Sequence, residues 1–138
     1  QVYRRQMDSR LCIAAAEPAA GLRDSVPVGA LLSMRAGSAA QVLTAWAPED
    51  EQRRSLRVAA FSADDLETTR QRGWAHSLAQ REPGVASLSA PIRDDLGDVV
   101  AAISLSGPVD RLSRPTKAQV SALLSAAARL SLGDQPEQ

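Results

Sequence analysis

Hydrophobic and polar positions alternate most strictly between Gly84 and Pro108. Ala86, Leu88, Ala90 and Ile92 fall on one side, with Val85, Ser87 and Ser89 opposite. After the polar loop Asp94-Asp95-Leu96-Gly97, Val99, Ala101, Ile103 and Leu105 form an apolar set opposed by Val100, Ala102, Ser104 and Ser106. A period of two bounded by turn residues predicts half-buried strands joined as a hairpin. Pairing Arg93 with Asp98 across the loop predicts that Ser87 stands opposite Ser104 and keeps the apolar sets on one face. The other face is small and hydroxyl-bearing, without Lys or Glu. A face meant for water normally carries charges, so this one is expected to floor a shallow polar pocket.

The rest of the chain supplies strands first and helices after. Val2–Met7 and Arg10–Ala15 read as a hairpin turned at Asp8-Ser9. Leu22 to Val28 is expected to be extended, because Pro27 pushes Val26 away from helix. Gly37-Ser38 before an Ala-rich run marks a helix start, and Pro48 ends that helix or opens the next. Glu49, Asp50 and Glu51 followed by Arg53, Arg54 and Arg57 place charges as a helix dipole prefers, which predicts a solvated helix face. Ser62 with Asp65 three positions on, and Gly73 after Arg70 and Arg72, bracket a further helix. Trp74–Leu78 is strand-like, and Pro115 to Leu132 forms a closing helix with Val120, Leu123, Leu124, Ala127 and Leu130 on one stripe. The polar tail from Gly133 to Gln138 is expected to fray.

This order predicts one α+β domain over residues 1–138, an antiparallel sheet with helices on one face and a binding pocket on the other. Composition narrows its role. The chain has 138 residues, enough for one ordinary domain, and 16 basic against 16 acidic side chains, so it offers no field for nucleic acid. No apolar run approaches the ~20 residues that span a bilayer. Cys12, the single cysteine, excludes an internal disulfide and a multi-cysteine metal site. A cytoplasmic protein, or a fragment of one, is the simplest expectation.

Catalytic chemistry is thinly provided for. His76 is the single histidine, no serine sits in a nucleophile elbow, and Asp94 and Asp95 are turn residues without further ligands near them in sequence. An enzyme would need Cys12 and His76 to converge on the serine face. Binding is better served. The helix start at Ser38 offers free amides and a positive dipole end among small residues, which suits a carboxylate if the serine face lies opposite.

Two long stretches carry a family resemblance. GLRDSVPVGALLSMRAGSAAQVLTAW resembles the "LR…VPVG…LPLHAGS.GKVLLA" region of the IclR family of bacterial transcriptional regulators. GWAHSLAQREPGVASLSAPIRDDLGDVVAAISLSGPVDRLS resembles the same family's "GYA…E…G..S.AAPV.D..G.V.AA.S.SGP..R" region. With LCIAAAEP near the start and the closing helix, the likeness covers nearly the whole chain in the right order. The resemblance implies a C-terminal effector-binding domain with a GAF-like, PAS-related fold and no cofactor. A small molecule would sit between the sheet and the loop-helix segment that includes AGS, and the hydroxyl face combined with that helix start makes a small anionic organic metabolite the expected ligand. The resemblance further implies self-association as a dimer or tetramer, no membrane contact, and promoter DNA contacted only through an N-terminal winged helix-turn-helix that this chain lacks.

The same resemblance places ligand contacts at the backbone of Ser38 and Ala39, and at Ser104 and Ser106 of ISLSGP. Ser87 faces these from the preceding strand, with Val85 two residues before it. Leu32, Asp24 and Ser77 match further lining positions. The chain departs from the pattern where LPLH becomes Leu32-Ser33-Met34-Arg35, at Gln41 in place of Lys, and at Gln80 in place of an acid. The alternative roles are a structural oligomerisation module with a vestigial pocket, and a GAF-like enzyme.

Overall fold

The computed structural model describes residues 1–17 and 26–132. Among these described residues six antiparallel strands form one sheet in the order β3-β2-β1-β6-β5-β4. The first hairpin joins β1 (Val2–Gln6) to β2 (Ser9–Ala14) through Met7-Asp8, one residue earlier than the pattern predicts, and Met7 takes up a left-handed φ of 56°. β3 (Leu31–Ser33) pairs with β2 at the sheet edge. The helices α1 (Ser38–Ala45), α2 (Glu49–Leu56) and α3 (Ala63–Arg72) follow, then β4 (Ala75–Leu78). The long hairpin β5 (Val85–Arg93) and β6 (Val99–Pro108) comes next, with α4 (Val109–Leu112) and α5 (Lys117–Leu132) closing the fold.

The α+β antiparallel architecture is the expected one, but the expectation of helices on a single face is corrected. The alternation of β5 explains why. Leu88 and Ala90 pack with Leu123 and Ala127 of α5, while Ser89, one residue out of phase, meets Ser38 of α1 on the reverse side. Both faces of the central strands are therefore covered. The larger core lies on the α1 side and includes Tyr3, Cys12, Val42, Phe61 and Leu66. All eight residues of α1 are buried, whereas α2 buries none, in keeping with a solvated charged face. The expected stripe on α5 is also narrower than predicted. Leu123 and Ala127 are buried, while Leu124 and Leu130 are exposed, because only a single turn-to-turn row reaches the sheet.

The hairpin register is corrected by two residues. Ser87 pairs with Ser106 and Ser89 with Ser104, rather than Ser87 with Ser104. Two insertions account for the slip. The loop runs from Asp94 to Asp98, closed by the Asp94 amide on the Asp98 carbonyl at 2.9 Å, and the register shifts again between Ile92 and Arg93. A slip of two leaves each side chain on its expected face, so the serines stay together. The extended stretch predicted over Leu22–Val28, Asp24 included, and the tail from Gly133 lie largely outside the described residues.

Candidate functional site

The serine face sits directly beneath the start of α1. Ser38 Oγ lies 2.6 Å from Ser87 Oγ and 2.7 Å from Ser89 Oγ. Ser89 Oγ bonds Ser104 Oγ, and Ser77 Oγ lies 2.9 Å from Ser87 Oγ. A hydroxyl donates once and accepts twice, so the hydroxyls of Ser77, Ser87, Ser38, Ser89 and Ser104 form one connected chain across four elements, β4, β5, α1 and β6. Ser106, at the open end, donates to Gln1 Oε1 at 3.1 Å.

A cavity of about 20 Å³ opens beside this chain, lined by Tyr3, Arg10, Gly37, Ser38, Ala39, Ser77, Arg81, Val85, Ser87, Ser104 and Ser106. Its volume suits about one water molecule. Ser38, Ala39, Ser77, Val85, Ser87, Ser104 and Ser106, all singled out in the sequence, thus share one wall system. Leu32 does not join them. It pairs with Arg10 across the sheet edge and packs against the larger core. Asp24 lies outside the described residues.

Four lining residues escape the sequence reading, Tyr3, Arg10, Gly37 and Arg81, while Ser89, placed on the hydroxyl face but not among the expected contacts, proves central to the hydroxyl chain. Arg10 is the most consequential. It is only 3% exposed, its guanidinium lies 5.2 Å from the centroid of the Tyr3 ring, and Nη1 donates to the carbonyls of Ser33 and Ala36. That separation is within cation–π range. Arg81 brings a second cation, in contact with Glu82 at 2.9 Å. The Gly37 amide donates to Gln80 Oε1 at 3.0 Å, so a side-chain oxygen already sits on the first turn of α1. No Asp or Glu lines the cavity among the described residues, and the dipole of α1 adds positive potential at the same wall. The arrangement is small and rich in hydroxyls.

It is not built for catalysis by the residues the sequence offered. His76 pairs with Leu88 on the α5 side and meets the Leu112 carbonyl through Nε2 at 2.9 Å. Cys12 is fully buried in the α1-side core, across the sheet. The convergence an enzyme would need is therefore absent for this pair. Among the described residues no group of three or more His, Cys, Asp or Glu could hold a metal ion. None of the helices among them is long and apolar enough to cross a membrane.

Residues 1–132 match the family described as bacterial transcriptional regulator IclR, C-terminal. The HTH-type transcriptional regulator BhcR of Paracoccus denitrificans is 32% identical over 145 aligned positions, covering 95% of this chain and 52% of that protein. The glycerol operon regulatory protein of Streptomyces griseus is 40% identical over 81 positions, covering 56% of this chain and 32% of that protein. A solved IclR-family structure from Rhodococcus sp. superposes with a TM-score of 0.80 at 32% identity, over 95% of this chain and 55% of that one. The chain thus spans a third to about half of the length of these relatives, which are transcriptional regulators and not enzymes. It belongs to the IclR family of bacterial transcriptional regulators, of which it is the C-terminal domain.

Proposed function

We propose that this domain is the effector sensor of a cytoplasmic regulator, and that its effector is a small organic anion held between α1 and the serine face. One observation carries this reading. The fold stacks the first turn of α1 on a connected chain of five serine hydroxyls, beside a cavity lined by two arginines. The amides of Ser38 and Ala39 would take the acidic group, and Ser87, Ser104 and Ser106 would orient the rest. Promoter DNA would be contacted by an N-terminal winged helix-turn-helix. An effector that binds one arrangement of a dimer or tetramer better than another would shift promoter affinity by that difference and no more.

A thermal-shift screen of small carboxylates on the 138-residue chain tests the reading. A dose-dependent rise in melting temperature is expected, and Ser104→Ala combined with Ser106→Ala should weaken the hit by roughly tenfold or more. Unchanged melting across the panel, with a cooperatively folding chain, would overturn it. The second reading, an oligomerisation module with a filled pocket, is favoured by the cavity's volume of about 20 Å³. It predicts no ligand response while light scattering still shows an oligomer.

A further inference from the structure

A second cavity lies between the β1–β2 hairpin, the turn that precedes α1, and α2, and it shares no lining residue with the serine cavity. It measures about 410 Å³, within the range of small-molecule sites. Its walls carry four arginines, Arg5, Arg35, Arg54 and Arg57, against one acid, Asp8. Backbone bonds hold these walls together. The Met34 amide donates to the Asp8 carbonyl at 3.3 Å, and the Ala60 amide donates to the Arg35 carbonyl at 2.7 Å. The turn carrying Arg35 is thereby fastened to the hairpin on one side and to the segment leaving α2 on the other.

Two of the four cations are already engaged. Arg5 Nε lies 2.9 Å from Glu51 Oε1, and Arg54 Nη1 lies 3.2 Å from Asp50 Oδ2. The side chains of Arg35 and Arg57 are exposed and make no hydrogen bond or ion pair among the described residues. Arg5 Nη1 is in addition buried without a hydrogen-bond partner, where buried donors are normally met. Donors therefore outnumber acceptors around this cavity, and its two free guanidiniums come from different elements.

Charge and shape say what such a wall fits. A neutral alcohol leaves both guanidiniums without a counter-charge. A carboxylate offers two oxygens, which a single guanidinium fork satisfies. A phosphate monoester offers three oxygens and close to two negative charges at neutral pH, so it can accept from two guanidiniums at once. We propose that this cavity is a second anion site, which takes a phosphate monoester of metabolite size with its phosphoryl group between Arg35 and Arg57. Met34 and Val58 give the organic part an apolar wall. The proposal is independent of the sensor reading given above, because the two cavities are lined by different residues.

Calorimetric titration of the 138-residue chain with glycerol 1-phosphate and glucose 6-phosphate, each beside its parent alcohol, tests this. The salt is kept at about 0.15 M, where loose surface attraction is screened. At least one ester is expected to bind saturably, and its parent alcohol at least about a hundredfold more weakly. Arg35→Gln and Arg57→Gln should each weaken the ester by about tenfold or more. Arg53→Gln, exposed on α2 but off the cavity, and Ser104→Ala should leave its affinity unchanged. The proposal is overturned if neither ester saturates, if the Arg35→Gln, Arg57→Gln double variant binds as the wild type does, or if Arg53→Gln costs as much as Arg57→Gln. Loss of affinity in Ser104→Ala would move the ester to the serine cavity and overturn it equally. A random-sequence DNA duplex should not displace the ester, and displacement would make these arginines a nucleic-acid contact instead. Should a variant lose cooperative unfolding, the Nε–Hε resonances of Arg35 and Arg57 in the wild-type chain decide: shifts that saturate with the ester support the site, and unmoved resonances sink it. Failure of every carboxylate to bind would remove the sensor reading and leave this site standing.

Discussion

At Gly37 the backbone and the packing impose the same requirement. Its φ of 101° and ψ of 156° belong to a region that essentially only glycine adopts, and an added Cβ would stand 3.0 Å from Arg10 Nη2. Gly37→Ala is therefore expected to cost about 1–3 kcal/mol, read as a lower urea midpoint at unchanged slope. A loss below about 0.5 kcal/mol would show that the turn into α1 rearranges freely, contrary to its role in holding the Arg10 guanidinium. Legibility at this scale followed burial. Ser87, Ser104 and Ser106 stood out because alternation places them on one face whatever the exact register. Ser89 shares that alternation, yet its bonds to Ser38 and Ser104 depend on a register two residues away from the expected one. Arg10 gave no local signal at all. An arginine in a hairpin strand reads as solvated, and only the arrival of the 33–37 turn and the Tyr3 ring buries it.

Elements were legible where their ends are punctuated by side chains. The start of α3 is the clearest case: Ser62 Oγ accepts from the Asp65 amide at 3.2 Å, and Asp65 Oδ2 accepts from the Ser62 amide at 2.8 Å. Gly73 closes the same helix in a left-handed conformation with φ of 86°. Both signals are visible in the string because they depend on residues three apart or on a single glycine. Ser62→Ala removes one half of the reciprocal pair and is expected to destabilise the chain by about 0.5–2 kcal/mol without changing effector affinity. Chemical denaturation beside a carboxylate titration checks both halves, and a change in affinity would tie α3 to the site unexpectedly. The short α4 was not legible, since four residues carry no periodicity. Nor was the register of β5 on β6, which a loop closure and an irregularity at Ile92/Arg93 decide together. The start of α5 hid a comparable device, in which the Thr116 and Gln119 side chains each accept from the other's amide.

Volume and chemistry point to different places in the whole molecule. An open groove of about 680 Å³ runs between α5 and the sheet, lined mainly by alanines with Val2, Ile103, Leu105 and Leu123. The polar cavity on the reverse face measures about 20 Å³. Size alone would favour the groove, but its walls are largely hydrocarbon and would charge a small carboxylate its full desolvation. The polar cavity supplies donors at the cost of having to widen, because it admits about one water. That widening cannot come from α1, whose eight residues are all buried between the sheet and α3. It falls to the turns at its mouth. One carries Arg35, Ala36 and Gly37; the other carries Gln80 and Arg81 after Ala79, which is held at a left-handed φ of 55°. Gln80 already contributes an oxygen to the Gly37 amide, so an entering carboxylate has a neutral acceptor to displace rather than a bare amide to find. Lactate or succinate added to the isotopically labelled chain should therefore move the backbone amide resonances of Gly37, Ser38, Gln80 and Arg81 together. At a hundredfold excess over its dissociation constant the ligand should also stabilise the fold by about 2.7 kcal/mol. Perturbations confined to Ala118, Ala122 and Ala126 would instead put the ligand in the groove, and the serine face would lose its assigned role.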